Sequence, residues 1–323
     1  MERGRRELML WPQTQYQANI MRIFDPDALE CLASIVEEGG FERAAVRLSV
    51  TQSAVSQRLR ALEAQIGTVL LVRSRPVKPT AAGRLLIKHA MQMRLLRADL
   101  ETDLQDLTPS TKGSREEDRI SIAVNADSIA TWVLPAVGPL VSEGLPLEII
   151  TDDQDFTHEW LREGQVLGCV TTLKQALRGC KVLPLGDMHY VAVASADYAR
   201  QHCPQGLTSH NFRDIAFVAF NRKDDLQAEF VGRACGLRRV TLSQRFVPSS
   251  EGQVRAVLAG WGASVVPEML VRELIQKGDL VNLAPLVTLP VSLYWHCWNL
   301  DSDVIDRLTS ALEAAAQQAL HTA

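Results

Sequence analysis

Apolar residues recur at helical spacing over residues 26 to 107, and beyond residue 119 short apolar runs alternate with helical stretches. Asp25-Pro26 reads as a helix start, an acceptor at the cap followed by proline at the first helical position. Leu29, Leu32, Ala33 and Val36 continue that helix on one face, and Gly39-Gly40 ends it. A second, short helix is predicted from Phe41 to Leu48, with Phe41, Ala44, Ala45 and Leu48 inward; the two alanines suit a close helix–helix approach. Ser49-Val50 makes a turn and Thr51 caps a third helix whose buried stripe is Val55, Leu59, Leu62 and Ile66. Val69 to Arg73 then predicts a short strand, and Ser74 to Pro79 the return strand of a wing.

Thr80 caps a long helix over 81–107. Leu86, Met93, Leu100 and Leu107 are spaced by sevens, with His89 and Leu96 between them, which is the seam of a two-stranded coiled coil. A polar, breaker-rich hinge over 108–118 follows. Beyond it, strands are predicted at Ile120–Val124, Leu147–Ile150, Val166–Val170, Tyr190–Ala194, Phe217–Phe220, Ser264–Val266 and Ser292–Trp298, with Ser128–Val141 helical. Such alternation predicts an α/β domain over 119–323, with a mainly parallel sheet, helices on both faces and room for two lobes. The domain reading is an extension over 1–21, a winged helix-turn-helix over 22–80, a linker helix, a hinge and the α/β domain. The extension is read as disordered, or as an upstream start with the working start at Met21.

Charge sharpens this picture. Eleven bases and one acid, Glu63, lie between Arg43 and Arg97, a net of +10 inside a chain whose total is −4. A basic segment in an acidic chain is the footprint of a polyanion binder, here double-stranded DNA. Gln52, Ser53, Ser56 and Gln57 share one face near the start of the third helix, where a recognition helix meets base edges, and Gln pairs bidentately with adenine. Arg58 and Arg60 flank that face as phosphate contacts, and Arg73, Arg75 and Lys78 place further charge on the wing. A solvated helix face is the competing reading; the three-helix frame and the basic surround favour base contact.

Other classes fit less well. The six cysteines are scattered without a Cys-x-x-Cys pair, so a disulfide framework and a metal site are disfavoured. Cys203, beside Pro204, is expected at the surface. His158, His189 and His296 show no metal-ligand spacing, no Gly-x-Ser-x-Gly elbow occurs, and the expectation is neither enzyme nor cofactor nor metal. No apolar run approaches the ~20 residues of a membrane span, and the cytoplasm is the expected location.

The strings Phe41-Glu-Arg-Ala-Ala45, Thr51-Gln-Ser-Ala-Val-Ser-Gln-Arg58, Leu70-Leu-Val-Arg73, Ala123-Val-Asn-Ala-Asp-Ser-Ile-Ala-Thr-Trp132 and Leu293-Tyr-Trp-His296 carry a resemblance. From about Met21 onward the chain resembles LysR-type transcriptional regulators, and the Asn125 to Trp132 string is similar to their ArgP (also called IciA)/LysG branch. The resemblance implies a two-lobed, periplasmic-binding-protein-like (type 2) effector domain, homodimers or homotetramers, contact with RNA polymerase as an activator, and L-lysine or L-arginine as effector controlling an amino-acid exporter gene. It also implies that Gln52, Ser53, Ser56 and Gln57 meet the major groove.

In open α/β sheets ligands gather beyond the carboxyl ends of strands, near helix amino termini. Asn125-Ala-Asp-Ser128 and Ser249-Ser250-Glu251 both open helices after strands, so Asn125, Ser128, Ser249 and Ser250 are candidates for an α-carboxylate. A basic amino acid also needs acidic partners, for which Asp127, Asp152, Asp153 and Glu251 are placed; helix capping or plain solvation competes for each. Thr171 and Ser195 occupy equivalent strand ends, and Trp132 and Trp295 are read as core. The rival function is a ligand-independent origin-binding or nucleoid protein.

Overall fold

A computed structural model describes residues 24–72, 74–107, 119–152 and 157–321, with backbone alone at 103, 105–107 and 152. The extension 1–21, Arg73, the hinge 108–118 and Asp153 therefore lie outside the described residues, as do the side chains of Leu107 and Asp152. The chain divides into two compact units, one ending at Ala90 and the other beginning at Met91.

In the first unit, α1 (Pro26–Glu37), α2 (Phe41–Arg47) and α3 (Gln52–Ile66) form a three-helix bundle. Asp25 caps α1 by accepting from the Asp27 N–H at 3.0 Å, and Thr51 caps α3 by accepting from the Ala54 N–H at 3.2 Å. Leu29, Leu32, Ala44, Ala45, Val55, Leu59 and Leu62 are buried between the helices. The wing is short: β1 (Leu71–Val72) pairs antiparallel with β2 (Lys78–Pro79).

Two polar side chains fasten the wing to its neighbours. Glu63, the one acid of the basic segment, accepts the Leu70 N–H at 2.8 Å. Thr80 donates its hydroxyl to the Val69 carbonyl at 2.9 Å and accepts the Gly83 N–H at 3.1 Å, capping α4 (Ala81–Leu107). Gly83 lies so close to β1 that any Cβ would fall on the Leu70 carbonyl oxygen. Along α4, His89, Leu96 and Leu100 of the predicted seam are exposed, together with Leu85 and Leu104, whereas Leu86 and Met93 are half-buried.

The second unit is built on β3 (Ile120–Asn125), β4 (Leu147–Asp152), β5 (Gly168–Thr171), β6 (Cys180–Ser195), β7 (Ala216–Ala219), β8 (Ser243–Phe246), β9 (Ser264–Pro267), β10 (Leu280–Asn282) and β11 (Leu289–Trp298). Seven strands share one sheet, ordered β10–β6–β11–β5–β3–β4 with β9 also on β6, while β7 and β8 pair separately. The parallel ladders are β3–β4, β3–β5 and β7–β8, with a single parallel bridge from Phe217 to Ala263 beside β9. The ladders of β6 with β11, β9 and β10, and of β11 with β5, are antiparallel. The sheet is thus mixed, which corrects the mainly parallel expectation. The reason is the length of β6: its first half pairs β11, and Tyr190 to Ser195 run on to pair β9 and β10.

Helices α5 (Ala126–Ser128) and α6 (Leu134–Ser142) are joined by a π turn over Ile129–Val133. Pro135 in the first turn of α6 supplies no N–H, and a widened turn absorbs the missing bond. The remaining helices are α7 (Thr157–Arg162), α8 (Ala196–His202), α9 (Leu226–Cys235), α10 (Ser250–Leu258), α11 (Glu268–Lys277) and α12 (Asp303–Ala319). Strand alternation divides the core: Tyr190, Ala192 and Ala194 join the large cluster with Ile122, Trp132 and Trp295. Val191 and Val193 face a second cluster with Val218, Val257 and Val266. Cys203 is buried rather than at the surface, and burial pushes its thiol pKa up, away from redox reactivity.

Gly83→Ala should destabilise the first unit by about 1–3 kcal/mol through overpacking, although alanine is the better helix former by about 1 kcal/mol. Thermal melting of the full chain checks the sign; an unchanged or raised first transition would refute the close approach.

Candidate DNA interface and effector site

On α3, residues 52, 53, 56 and 57 lie on one face because positions four apart are neighbours on a helix. Gln52, Ser53 and Gln57 are exposed and Ser56 is half-buried, while Val55, Leu59 and Leu62 hold the opposite face in the core. The side chains that would read bases therefore sit at the free amino-terminal end of a helix whose other side is immobilised.

Arg60 is exposed and bonds back to the Ser56 carbonyl at 3.1 Å. Arg58, expected among the phosphate contacts, pairs its guanidinium with Asp27 at 3.0 Å and reaches the Cys31 sulfur at 3.8 Å. It bridges α3 and α1. Burial pushes the Cys31 thiol up, and the bond from Arg58 opposes that shift. On the wing, Arg75 and Lys78 are exposed, and Val69 and Val72 add exposed apolar surface beside them. Ser74 closes the turn by donating to the Pro76 carbonyl at 2.6 Å.

In the second unit the carboxyl ends of three neighbouring strands are aligned. Asn125 pairs in register with Asp152, and Thr171 ends β5 on the other side of β3. Asn125 is 2% exposed, and neither of its amide atoms has a hydrogen-bond partner among the described residues. Ser128, fully buried three residues on, also has an unpartnered hydroxyl, as does buried Ser250 at the start of α10. Leaving such a group unpaired costs about 1–3 kcal/mol. Three of the ten nominated effector residues thus carry polar atoms that a ligand or water would satisfy.

The other nominated residues are occupied differently. The Asp127 carboxylate accepts the Tyr190 hydroxyl at 2.6 Å. Tyr190, which sequence reasoning reads only as the start of a strand, therefore ties the β3–α5 junction to β6. Thr171 is buried and accepts the Leu173 N–H at 3.3 Å. Ser195 and Ser249 cap α8 and α10, accepting from the Tyr198 and Gly252 N–H groups at 3.3 and 3.1 Å. Glu251 is exposed. Trp132 and Trp295 are core, the latter donating its indole N–H to Thr309 at 3.0 Å. His296 is buried and bonds the Leu173 carbonyl at 2.6 Å; burial is the main cause lowering its pKa, with His158 adding to it.

Comparison with known proteins agrees with this architecture. Residues 26–84 match the bacterial regulatory helix-turn-helix proteins of the lysR family, and residues 113–317 match the LysR substrate binding domain. The transcriptional regulator LysG of Mycobacterium tuberculosis is 40% identical over 295 residues, covering 90% of this chain and 93% of LysG. The crystal structure of ArgP from Mycobacterium tuberculosis superposes with a TM-score of 0.81 at 39% identity, covering 94% of this chain and 100% of ArgP. Full-length LysG from Corynebacterium glutamicum with bound effector Arg superposes with a TM-score of 0.71 at 34% identity, covering 92% and 99%.

The chain belongs to the LysR family of DNA-binding transcriptional regulators, and not to an enzyme family. Within it, the chain is of the LysG/ArgP type. Among the described residues no helix is long and apolar enough to cross a membrane.

Proposed function

We propose that this regulator senses a basic amino acid, arginine or lysine, and controls transcription of an amino-acid exporter gene in the cytoplasm as an activator that contacts RNA polymerase. The observation that carries the effector reading is the set of buried, unpartnered polar groups on Asn125, Ser128 and Ser250. It is supported by the 34% identical LysG from Corynebacterium glutamicum, which holds arginine as its effector. Asn125 and Ser128 are suited to the ligand's α-carboxylate and α-amino groups, and Asp152 and Asp153, by their place in the chain, to its cationic end. Asp127 contributes through Tyr190, positioning the strand end rather than meeting the ligand alone.

Gln52, Ser53, Ser56 and Gln57 read bases, while Arg60, Arg73, Arg75 and Lys78 hold phosphates; Arg58 acts first as the bridge to Asp27. The exposed stripe of His89, Leu96 and Leu100 on α4 supports pairing of two chains, completed by Leu86, Met93 and Leu107. Pairs joined further through their second units give a tetramer on a bent promoter, and ligand binding shifts the population of its conformers.

Arg75→Ala should weaken binding to every duplex and lower the log–log salt slope by about 0.9 for each phosphate that is no longer neutralised. Gln52→Ala should instead relax preference at particular base pairs, by about 1–3 kcal/mol at each. Fluorescence anisotropy on an operator and a scrambled duplex over a salt series separates the two. A uniform loss in Gln52→Ala would remove it from the base-reading set.

Calorimetry with arginine and lysine tests the sensor. At least one should bind, and Asn125→Ala should weaken it about tenfold or more, as expected when a bond to a charged group is removed, while affinity for DNA is kept. Absence of binding by either amino acid would favour the ligand-independent DNA-binding role.

A further inference from the structure

His189, Glu268 and His321 converge from three separate parts of the second unit, with one ligating atom of each within 4.8 Å of the others. His189 stands in β6 immediately before Tyr190, Glu268 opens α11 just after β9, and His321 follows α12. The two imidazole rings stack with centroids 3.9 Å apart and planes inclined by 11°.

The backbone is built to hold this arrangement. Asp187 and His321 exchange both main-chain hydrogen bonds, at 2.9 and 3.0 Å. Gly186, at φ +126°, is what admits the second chain segment, since a Cβ there would lie 2.7 Å from the His321 carbonyl oxygen. Asp187 is steadied in turn by the Ser292 hydroxyl, which donates to its carboxylate at 2.6 Å. His321 is thus fixed to β6 rather than trailing from the end of a helix.

We propose that His189, Glu268 and His321 form a binding site for a divalent transition-metal ion of the zinc class. Two imidazole nitrogens and one carboxylate oxygen are a regular zinc set, with the fourth position left to water. Zinc bonds of about 2.0–2.2 Å place tetrahedral ligand atoms roughly 3.3–3.5 Å apart, so coordination requires the side chains to close in from the observed separation of up to 4.8 Å, and His321 is exposed. Arg272, 3.7 Å from the Glu268 carboxylate, is the cation that the metal would replace. The site is independent of the amino-acid effector. Its consequence is mechanical: a bound ion joins β6, α11 and the segment after α12, and resists their separation.

The test uses untagged, full-length protein stripped of metal with a chelator and titrated with zinc chloride by calorimetry, without DNA or amino acid. One zinc per chain should bind and raise the melting temperature. His321→Ala and Glu268→Gln should each weaken binding about tenfold or more and abolish the zinc-dependent rise in melting temperature. His210→Ala, at an exposed position elsewhere, should leave both unchanged. Either variant that fails to fold is recognised by circular dichroism and replaced by His189→Asn. Absence of stoichiometric binding, or binding that survives His321→Ala and Glu268→Gln, overturns the assignment.

Discussion

The second unit depends on one stretch of chain being buried on both faces. From Tyr190 to Ala194, alternate side chains enter two different hydrophobic clusters, and Tyr190 to Val193 pair with β9 on one edge. A strand buried in this way loses about 1.5–3 kcal/mol for each large apolar side chain re-exposed. It therefore serves as the fixed element against which the rest is placed. Tyr190 carries that fixity outward through its bond to Asp127, beside the unpartnered amide of Asn125. His189 and Tyr190 stand next to each other on β6, so the proposed effector and metal sites share one support.

The first unit solves a different problem, presenting many positive charges without being pushed apart by them. Five of the bases, Arg43, Arg60, Arg75, Lys78 and Arg97, are exposed, where solvent screens their repulsion. Two of the half-buried ones form ion pairs: Arg58 with Asp27, and Arg47 with Glu37 and Glu38. Glu63 closes the loop into the wing by accepting a main-chain bond, so the one acid in the basic segment serves architecture. Orientation of α3 follows from Thr51 at its start and from its apolar stripe against α1 and α2.

Legibility in the sequence follows the range of the interactions. Caps and apolar spacing are local, and α1, α2, α3 and the start of α4 fall where Asp25, Thr51 and Thr80 place them. Strand pairing is not local. The first half of β6 carries Pro184, Gly186 and Asp187, residues that punctuate strands, and it escapes a reading by spacing because a bulge near Leu293 and Tyr294 accommodates them. Small polar residues at strand ends are visible as a class, yet only the fold separates Ser195 and Ser249, which cap helices, from Asn125, Ser128 and Ser250. His189 and His321 are far apart in the chain, and no spacing rule brings them together.

Under the proposed function, coupling between a DNA-reading first unit and an effector-sensing second unit gives the two a common purpose, and it is read out by a footprint of the wild-type protein on genomic DNA beside an amino-acid exporter gene. Protection repeated with saturating arginine or lysine should change in extent or in the pattern of hypersensitive positions, reporting altered bending. A footprint identical with and without both amino acids would show that the second unit does not govern the first.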